Sequence, residues 1–303
     1  MKKQHYAILI LFLFFSKLQA QQDPQYTQYM YNMNVINPAY AGSREALSIG
    51  GMYRNQWDGI EGSPKTFTFA AHTPLGAKTG LGISAISDEI GPVKEQNLFA
   101  DISYTIKLGG EHRLAFGIKT GLTFQKIGLI DINTVQSGDE AFSSNVSNSY
   151  ANAGAGFYYY TSHYYVAFSV PNMLHSKHLD REGNTYGSEA SHYFLTAGYV
   201  FKLNPSIKFK PSVMLKSAFQ SPLSFDANTN FLFMDRFEIG CSYRLDDSVS
   251  GLVNFYITPG IQIGYAYDHI ISDIGNSAPA SHEIFLHFDI SFAKKVYRSP
   301  RYF

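Results

Sequence analysis

The sequence predicts an all-β protein, a transmembrane antiparallel β-barrel of about 14 strands carrying an N-terminal signal peptide. Three observations lead there. Apolar residues recur with period two in segment after segment, the apolar face of each segment is free of charge, and the connections differ in length at the two ends of the segments. Period-two alternation puts successive side chains on opposite faces of a strand, whereas a helix would repeat every 3.6 residues. Composition agrees: Tyr and Phe number 22 and 24 against a single Trp, Gly stands at 25, and only 16% of residues are charged. That profile favours aromatic-rich strands joined by tight turns.

The elements follow in chain order. Lys2 and Lys3, the apolar run from Ile8 to Phe15 and the small-residue exit Leu18-Gln19-Ala20 form a signal peptide over 1–20. The apolar run falls short of the ~20 residues that a spanning helix needs, and no cysteine follows it to carry a lipid. Residues 21–45 make an N-terminal segment that is periplasmic or docked in the lumen, because an even barrel keeps both ends of its strand array at one rim. The barrel itself is expected over 46–293, and a C-terminal tail over 294–303.

Strands are expected near 46–54, 65–73, 79–87, 96–107, 112–126, 150–160, 163–170, 191–203, 205–217, 223–233, 235–245, 248–258, 260–270 and 281–293. In the last, Ile284, Leu286, Phe288, Ile290 and Phe292 oppose Glu283, His287, Asp289 and Ser291, with Phe285 on the polar side. Likewise Ile261, Ile263, Tyr265 and Tyr267 oppose Gln262, Gly264, Ala266 and Asp268, and Leu114, Phe116, Ile118, Leu122 and Phe124 oppose Gly117, Lys119, Gly121, Thr123 and Gln125. Ile207, Phe209, Val213 and Leu215 oppose Lys208, Lys210, Ser212 and Lys216, and Phe237, Ile239, Cys241, Tyr243 and Leu245 oppose Arg236, Glu238, Ser242 and Arg244.

A soluble sandwich also alternates, so the solvent has to be decided separately. The even-numbered connections are short, while several odd-numbered ones, 127–149, 171–190 and 271–280, are long. Short turns at one rim and long loops at the other mark an outer-membrane barrel. Lysine or arginine at the lipid midplane costs about 2–4 kcal/mol, and the proposed outward sets hold neither. The inward sets are too polar for a dry sandwich core but suit a wet or plugged lumen.

Several function classes drop out. With a net charge of zero and no basic run beyond the first residues, nucleic acid is not an expected partner. The lone Cys241 reads as a small packing group in a strand. No cofactor is expected and no enzyme: there is no G-x-S-x-G, P-loop or G-x-G-x-x-G segment. His287, Asp289 and Ser291 share one strand face, where steps of about 7 Å keep a triad from forming. His175, His178, Asp180 and Glu182 could hold a metal only if their loop folded suitably, and a solvated polar loop accounts for all four. Asp88-Glu89, Asp139-Glu140 and Asp246-Asp247 lack the spacing of a calcium loop and read as solvated turns.

The stretch from Gln22 to Asn32, Gln-Asp-Pro-Gln-Tyr-Thr-Gln-Tyr-Met-Tyr-Asn, is followed by Asn37-Pro38-Ala39-Tyr40-Ala41-Gly42. Arg54-Asn55-Gln56-Trp57 with Gly62-Ser63-Pro64, Ser281-His282-Glu283-Ile284 and the ending Ser299-Pro300-Arg301-Tyr302-Phe303 complete the set. From its exported N-terminus to its last residue the chain thereby resembles the PorP/SprF family of the type IX secretion system of Bacteroidota.

The resemblance implies an integral outer-membrane component needed for export or surface anchoring of a partner protein such as an adhesin. It also implies coupling to the periplasmic type IX components. PorP-like members work with the shared motor, whereas SprF-like members serve one dedicated partner; nothing in the residues selects the branch. The family-motif positions Pro24, Tyr26, Gln28, Tyr29, Asn32, Asn37, Pro38, Ala39, Tyr40, Gly42, Arg54, Gln56, Trp57 and Pro64 become candidate partner-docking residues. Against docking stands a plug reading for residues 21–45, and for Trp57 with Arg54 a membrane-interface anchor at the outer rim. The rival functions are a passive channel or hydrophobic-solute transporter and, last, a barrel enzyme acting on lipid through His282 or His287.

Overall fold

The computed structural model describes residues 24–44, 46–130, 144–174, 180–181, 184–185, 191–218, 221–278 and 280–291. Fourteen antiparallel strands close into a barrel. They are β1 (Leu47–Asn55), β2 (Lys65–Leu75), β3 (Thr79–Ile90), β4 (Val93–Gly109), β5 (His112–Ile127), β6 (Val146–Tyr160), β7 (Tyr164–Val170), β8 (His192–Tyr199 and Phe201–Asn204), β9 (Ile207–Ala218), β10 (Ser224–Phe233), β11 (Phe237–Arg244), β12 (Ser248–Thr258), β13 (Ile261–Ile270) and β14 (Ala280–Ile290). The break in β8 is a single residue, Val200, whose N–H still donates to the His163 carbonyl. Every strand pairs with its sequence neighbours, and β1 closes on β14 in the register Leu47↔Ile290 to Arg54↔Glu283. Closure leaves no open edge, the condition that hydrocarbon imposes on a spanning sheet. A two-residue ladder, Asp180–Arg181 with Asn184–Thr185, stands apart from the barrel.

The strand count and order match the sequence expectation. Several boundaries differ by three or four residues: β6 starts at Val146, β14 ends at Ile290, β3 runs on to Ile90 and β4 starts at Val93, the last two joined by the turn Gly91-Pro92 with Gly91 at φ 54. Glu89 and Lys94 face each other there and form an ion pair at 3.0 Å. Asp88 and Glu89, expected in a turn, therefore lie in paired strand.

The connections at one rim, 76–78, 110–111, 161–163, 205–206, 234–236 and 259–260, are all tight. In the 234–236 connection the first two residues take positive φ, 53 and 55, and the Arg236 N–H donates to the Phe233 carbonyl at 2.9 Å, a tight turn whose twist follows that of the strands. The opposite rim carries the longer connections 56–64, 128–145, 171–191 and 271–279 together with three short ones. By the asymmetry of outer-membrane barrels, the tight-turn rim is the inner, periplasmic one.

Burial is inverted relative to a soluble protein. Ile83, Leu98, Ile102, Ile118 and Ile284 are half or more exposed, whereas Lys119, Lys210, Glu238, Asp268 and Glu283 are fully buried. Such a continuous apolar band needs a nonaqueous neighbour, and lipid supplies it. Near the inner rim the outward rings of Tyr159, Tyr164, Tyr199, Phe201, Phe209 and Phe231 contact one another in sequence, with centroids 4.2–6.0 Å apart. Amphipathic and aromatic side chains collect at this depth in membrane barrels. Cys241 sits on the same lipid-facing side, as its place in the alternation predicts.

Candidate functional site

The lumen is occupied by the protein's own N-terminal segment. Residues 24–44 run through it as three single turns, Tyr29–Tyr31, Met33–Ile36 and Pro38–Tyr40, too short to hold their shape unaided. The strand wall fixes them. Tyr29, Met30, Met33, Ala39 and Tyr40 are almost wholly buried against inward side chains of the barrel. Tyr31 stacks on Phe285 at 4.8 Å, and Tyr40 meets Tyr158 and His72 edge-on, each at 5.3 Å.

Polar contacts tie the segment at successive depths. Nearest the outer rim, Arg244 grips Asp226 with two hydrogen bonds, at 2.8 and 3.0 Å, and donates to the Gln25 side chain at 2.9 Å and the Tyr26 carbonyl at 3.3 Å. The backbone N–H groups of Thr27 and Gln28 donate to the two carboxylate oxygens of Glu283 at 2.9 and 2.7 Å. Arg54 pairs with Asp268 at 2.7 Å and Glu283 at 3.3 Å, and donates to the Thr27 hydroxyl at 3.0 Å. Toward the inner ends of β9 and β11, Lys210 donates to Glu238 at 2.7 Å and to the Tyr31 hydroxyl at 3.1 Å, while that hydroxyl itself donates to Glu238. Asn34 donates to Asp101 at 3.0 Å, and Lys119, which pairs with Asp101 at 3.2 Å, donates to the carbonyls of Asn34 and Val35. At the inner rim, Arg44 pairs with Asp289 at 2.8 Å, and Ser48 donates to the same carboxylate at 2.5 Å. Each charge in these clusters thus meets an opposite charge and further hydrogen bonds, the terms on which burial is tolerable.

The Asn-Pro-Ala-Tyr-Ala-Gly motif has a local physical reason at each position. Asn37 accepts a hydrogen bond from the Ala39 N–H at 2.9 Å and so caps the turn that Pro38 starts, and its amide donates to the Phe157 carbonyl at 3.1 Å. Ala39 lies against Gly117 so closely that a β-carbon there would come within 2.2 Å of its nitrogen. Gly156 and Gly80 leave equivalent room for Asn37 and Ala41, at 2.4 and 2.0 Å. Gly42 has φ +74 and packs against Gly80, where a side chain would be both strained and in collision.

Two cavities lie at the ends of this segment. The outer one, about 610 Å³, is lined by Pro24, Gln25, Gln56, Trp57, Pro64 and Asp88 among others. The inner one, about 300 Å³, is lined by Arg44, Asp235, Tyr256, Gln262, His287 and Asp289 among others.

The structure sorts the candidate residues by depth. Pro24, Gln56, Trp57 and Pro64 come together at the outer cavity; Tyr26, Gln28, Tyr29, Asn32 and Arg54 lie in the outer and middle lumen; Asn37, Pro38, Ala39, Tyr40 and Gly42 fill its inner part. The expected rim anchor of Arg54 with Trp57 needs correcting. Arg54 points inward and is 2% exposed, because the alternation of β1 puts it on the lumen side. Trp57 adopts φ 55, an uncommon conformation for a bulky residue, donates its N–H to Ser281 at 3.0 Å, and lines the cavity with its indole nitrogen buried.

The spacing argument for His287 and Asp289 also needs correcting, since the side chains converge to 3.1 Å although their backbones are two residues apart. No triad results. The neighbouring hydroxyl, Ser48, bonds the acid rather than the imidazole, which is not the order of a triad. His175, His178, Glu182, Asp139 and Glu140 lie outside the described residues, as does the Ser299–Phe303 ending, and only the backbone of Asp180 is described. The sequence reading placed Lys119, Lys210, Glu238 and Glu283 inward but missed that they clamp residues 24–44. It also missed the glycine cradle, whose signal was Gly at inward positions of neighbouring strands.

A family model described as "Type IX secretion system membrane protein PorP/SprF" matches residues 18–288. Among solved structures, the chain is similar to the Ralstonia pickettii toluene transporter TbuX (TM-score 0.52, 10% identity, covering 84% of this chain and 92% of that one). It is also similar to the CymD monoaromatic hydrocarbon channel (0.50, 12%, 89% and 94%). A further match is the Acinetobacter baumannii outer membrane protein Omp33 (0.49, 7%, 82% and 100%). At these identities the likeness concerns the fold alone. No curated protein matches the sequence.

Proposed function

The chain belongs to the PorP/SprF family of type IX secretion system membrane proteins, and from that premise we propose that it is a plugged docking barrel rather than a pore or an enzyme. It sits in the outer membrane as a component of type IX secretion. On its outer side it holds a secreted or surface-anchored partner such as an adhesin, and on its inner side it couples that partner to the periplasmic apparatus.

The observation that carries this reading is the filled lumen: one segment, residues 24–44, lines the outer cavity at one end and the inner cavity at the other. Pro24, Gln56, Trp57 and Pro64 are the residues offered to an external partner, while the Asn-Pro-Ala-Tyr-Ala-Gly motif anchors the segment. TbuX is described as a toluene transporter and CymD as a hydrocarbon channel. A greasy solute would here meet a lumen of ion pairs such as Arg54–Asp268, Lys210–Glu238 and Arg244–Asp226, whose desolvation it could not repay. The test is deletion of the gene followed by surface proteomics. Loss of one or more type IX substrates from the cell surface is expected. Unaltered export of every substrate, with related genes also removed, would refute the role.

A further inference from the structure

We infer that the exported N-terminal end of this chain opens onto the outer face of the membrane, where it forms one wall of the outer cavity and meets partners that are themselves exported. The contacts of residues 24–44 set a polarity. Gln25 and Tyr26 are held by Arg244, the last residue of β11 before the outer turn at 245–247. Thr27 and Gln28 are held by Asp268 and Glu283, which stand two residues before the outer end of β13 and three after the outer start of β14.

Tyr31 reaches deeper, its hydroxyl against Lys210 and Glu238, which stand three residues after the inner start of β9 and one after that of β11. Ala41 is held by Ser103, which pairs with Gly80 one residue after the inner start of β3, and Gly42 donates to His72, three residues before the inner end of β2. Arg44 is bound to Asp289 next to the inner end of β14. The segment therefore runs from the outer side at residue 25 to the inner side at residue 44. The chain enters the lumen at the outer mouth, descends, and turns back as β1.

An even-stranded barrel starts and finishes its sheet at one rim, which suggests a periplasmic N-terminus. Here the segment reverses that, since it crosses the whole lumen before β1 begins. Pro24 and Gln25 are partly exposed and border the outer cavity together with Gln56, Trp57 and Pro64. A polypeptide recognised by this end approaches from outside the cell, whereas the periplasmic apparatus meets the inner rim, where the described residues include Arg44 and the tight turns. The topology stands whether or not the docking role proposed above is right.

The test uses the full-length protein in the outer membrane of whole cells. Cys241→Ser removes the sole cysteine. Single cysteines are then introduced as Gln25→Cys, as Glu61→Cys in the outer 56–64 connection, and as Ser206→Cys in the inner 205–206 turn. A membrane-impermeant maleimide is expected to label Gln25→Cys and Glu61→Cys on intact cells, and Ser206→Cys only once the outer membrane is permeabilised. Labelling of Gln25→Cys only after permeabilisation would overturn the inference, whether Glu61→Cys labels beforehand or not. If the cavity shields Gln25→Cys even then, an epitope inserted directly before Pro24 decides: antibody binding on intact cells supports the inference, and binding only to permeabilised cells overturns it. Barrel formation in each variant is read from its heat-dependent gel mobility. Export of type IX substrates is a separate readout, so failure of the docking role is told apart from failure of the topology.

Discussion

At the scale of single residues, the lumen is held by charges that cannot be removed singly. Arg54 neutralises both Asp268 and Glu283 at almost complete burial. Arg54→Ala would leave two buried carboxylates facing each other and should cost about 3–5 kcal/mol, read as a lower unfolding temperature in detergent. Arg54→Lys should recover part of the loss, because an ammonium replaces the charge but not the planar fork of donors. An unfolding temperature unchanged by Arg54→Ala would show that the pairs do not hold the structure. The glycine cradle gives a sharper test. Gly117→Leu places its β-carbon on the Ala39 backbone, 2.2 Å away, so the segment has to leave its groove. The expected result is rapid protease cleavage within residues 24–44 while the strands stay intact. Gly251→Ala, with nothing within 4 Å of its added carbon, should behave as the parent does.

At the scale of elements, legibility followed the physics of alternation. Each strand was readable wherever one face met lipid and the other the lumen, as in Ile261–Ile270, because two solvents impose period two. The signal faded where strands rise above the membrane. Asp88, Glu89, Lys94, Glu95 and Gln96 face polar surroundings on both sides and carry no alternation, so the hairpin of β3 and β4 was read as shorter than it is. The path of residues 24–44 was not legible. Its turns are set by contacts more than a hundred residues away, such as Asn37 with Phe157 and Thr27 with Glu283. A hint was present nonetheless: Phe285, Tyr158, Tyr165 and Phe194 occupy inward positions that open water would disfavour, and they pack on the segment. Excising residues 24–44 should therefore leave a barrel that folds, since strand pairing is independent of the segment, but that passes small solutes. A tight barrel after excision would mean that the strand side chains alone close the lumen.

At the scale of the whole molecule, an apolar outer band, a closed sheet and a self-filled interior describe a membrane protein built to present its rims. Membership of the PorP/SprF family fits that shape. Surfaces at the two ends, joined by one continuous segment, suit a component that must engage an exported protein on one side and machinery on the other. The candidate site divides in the same way. The motif residues were visible in the sequence, but which of them anchor and which face a partner depended on the depth at which the segment sits. Whether residues 24–44 close the lumen is read from solute flux through purified, refolded full-length protein in liposomes. A filled lumen gives no swelling with sugars of any size; rapid, size-dependent swelling by the intact protein would mean that the segment leaves it open.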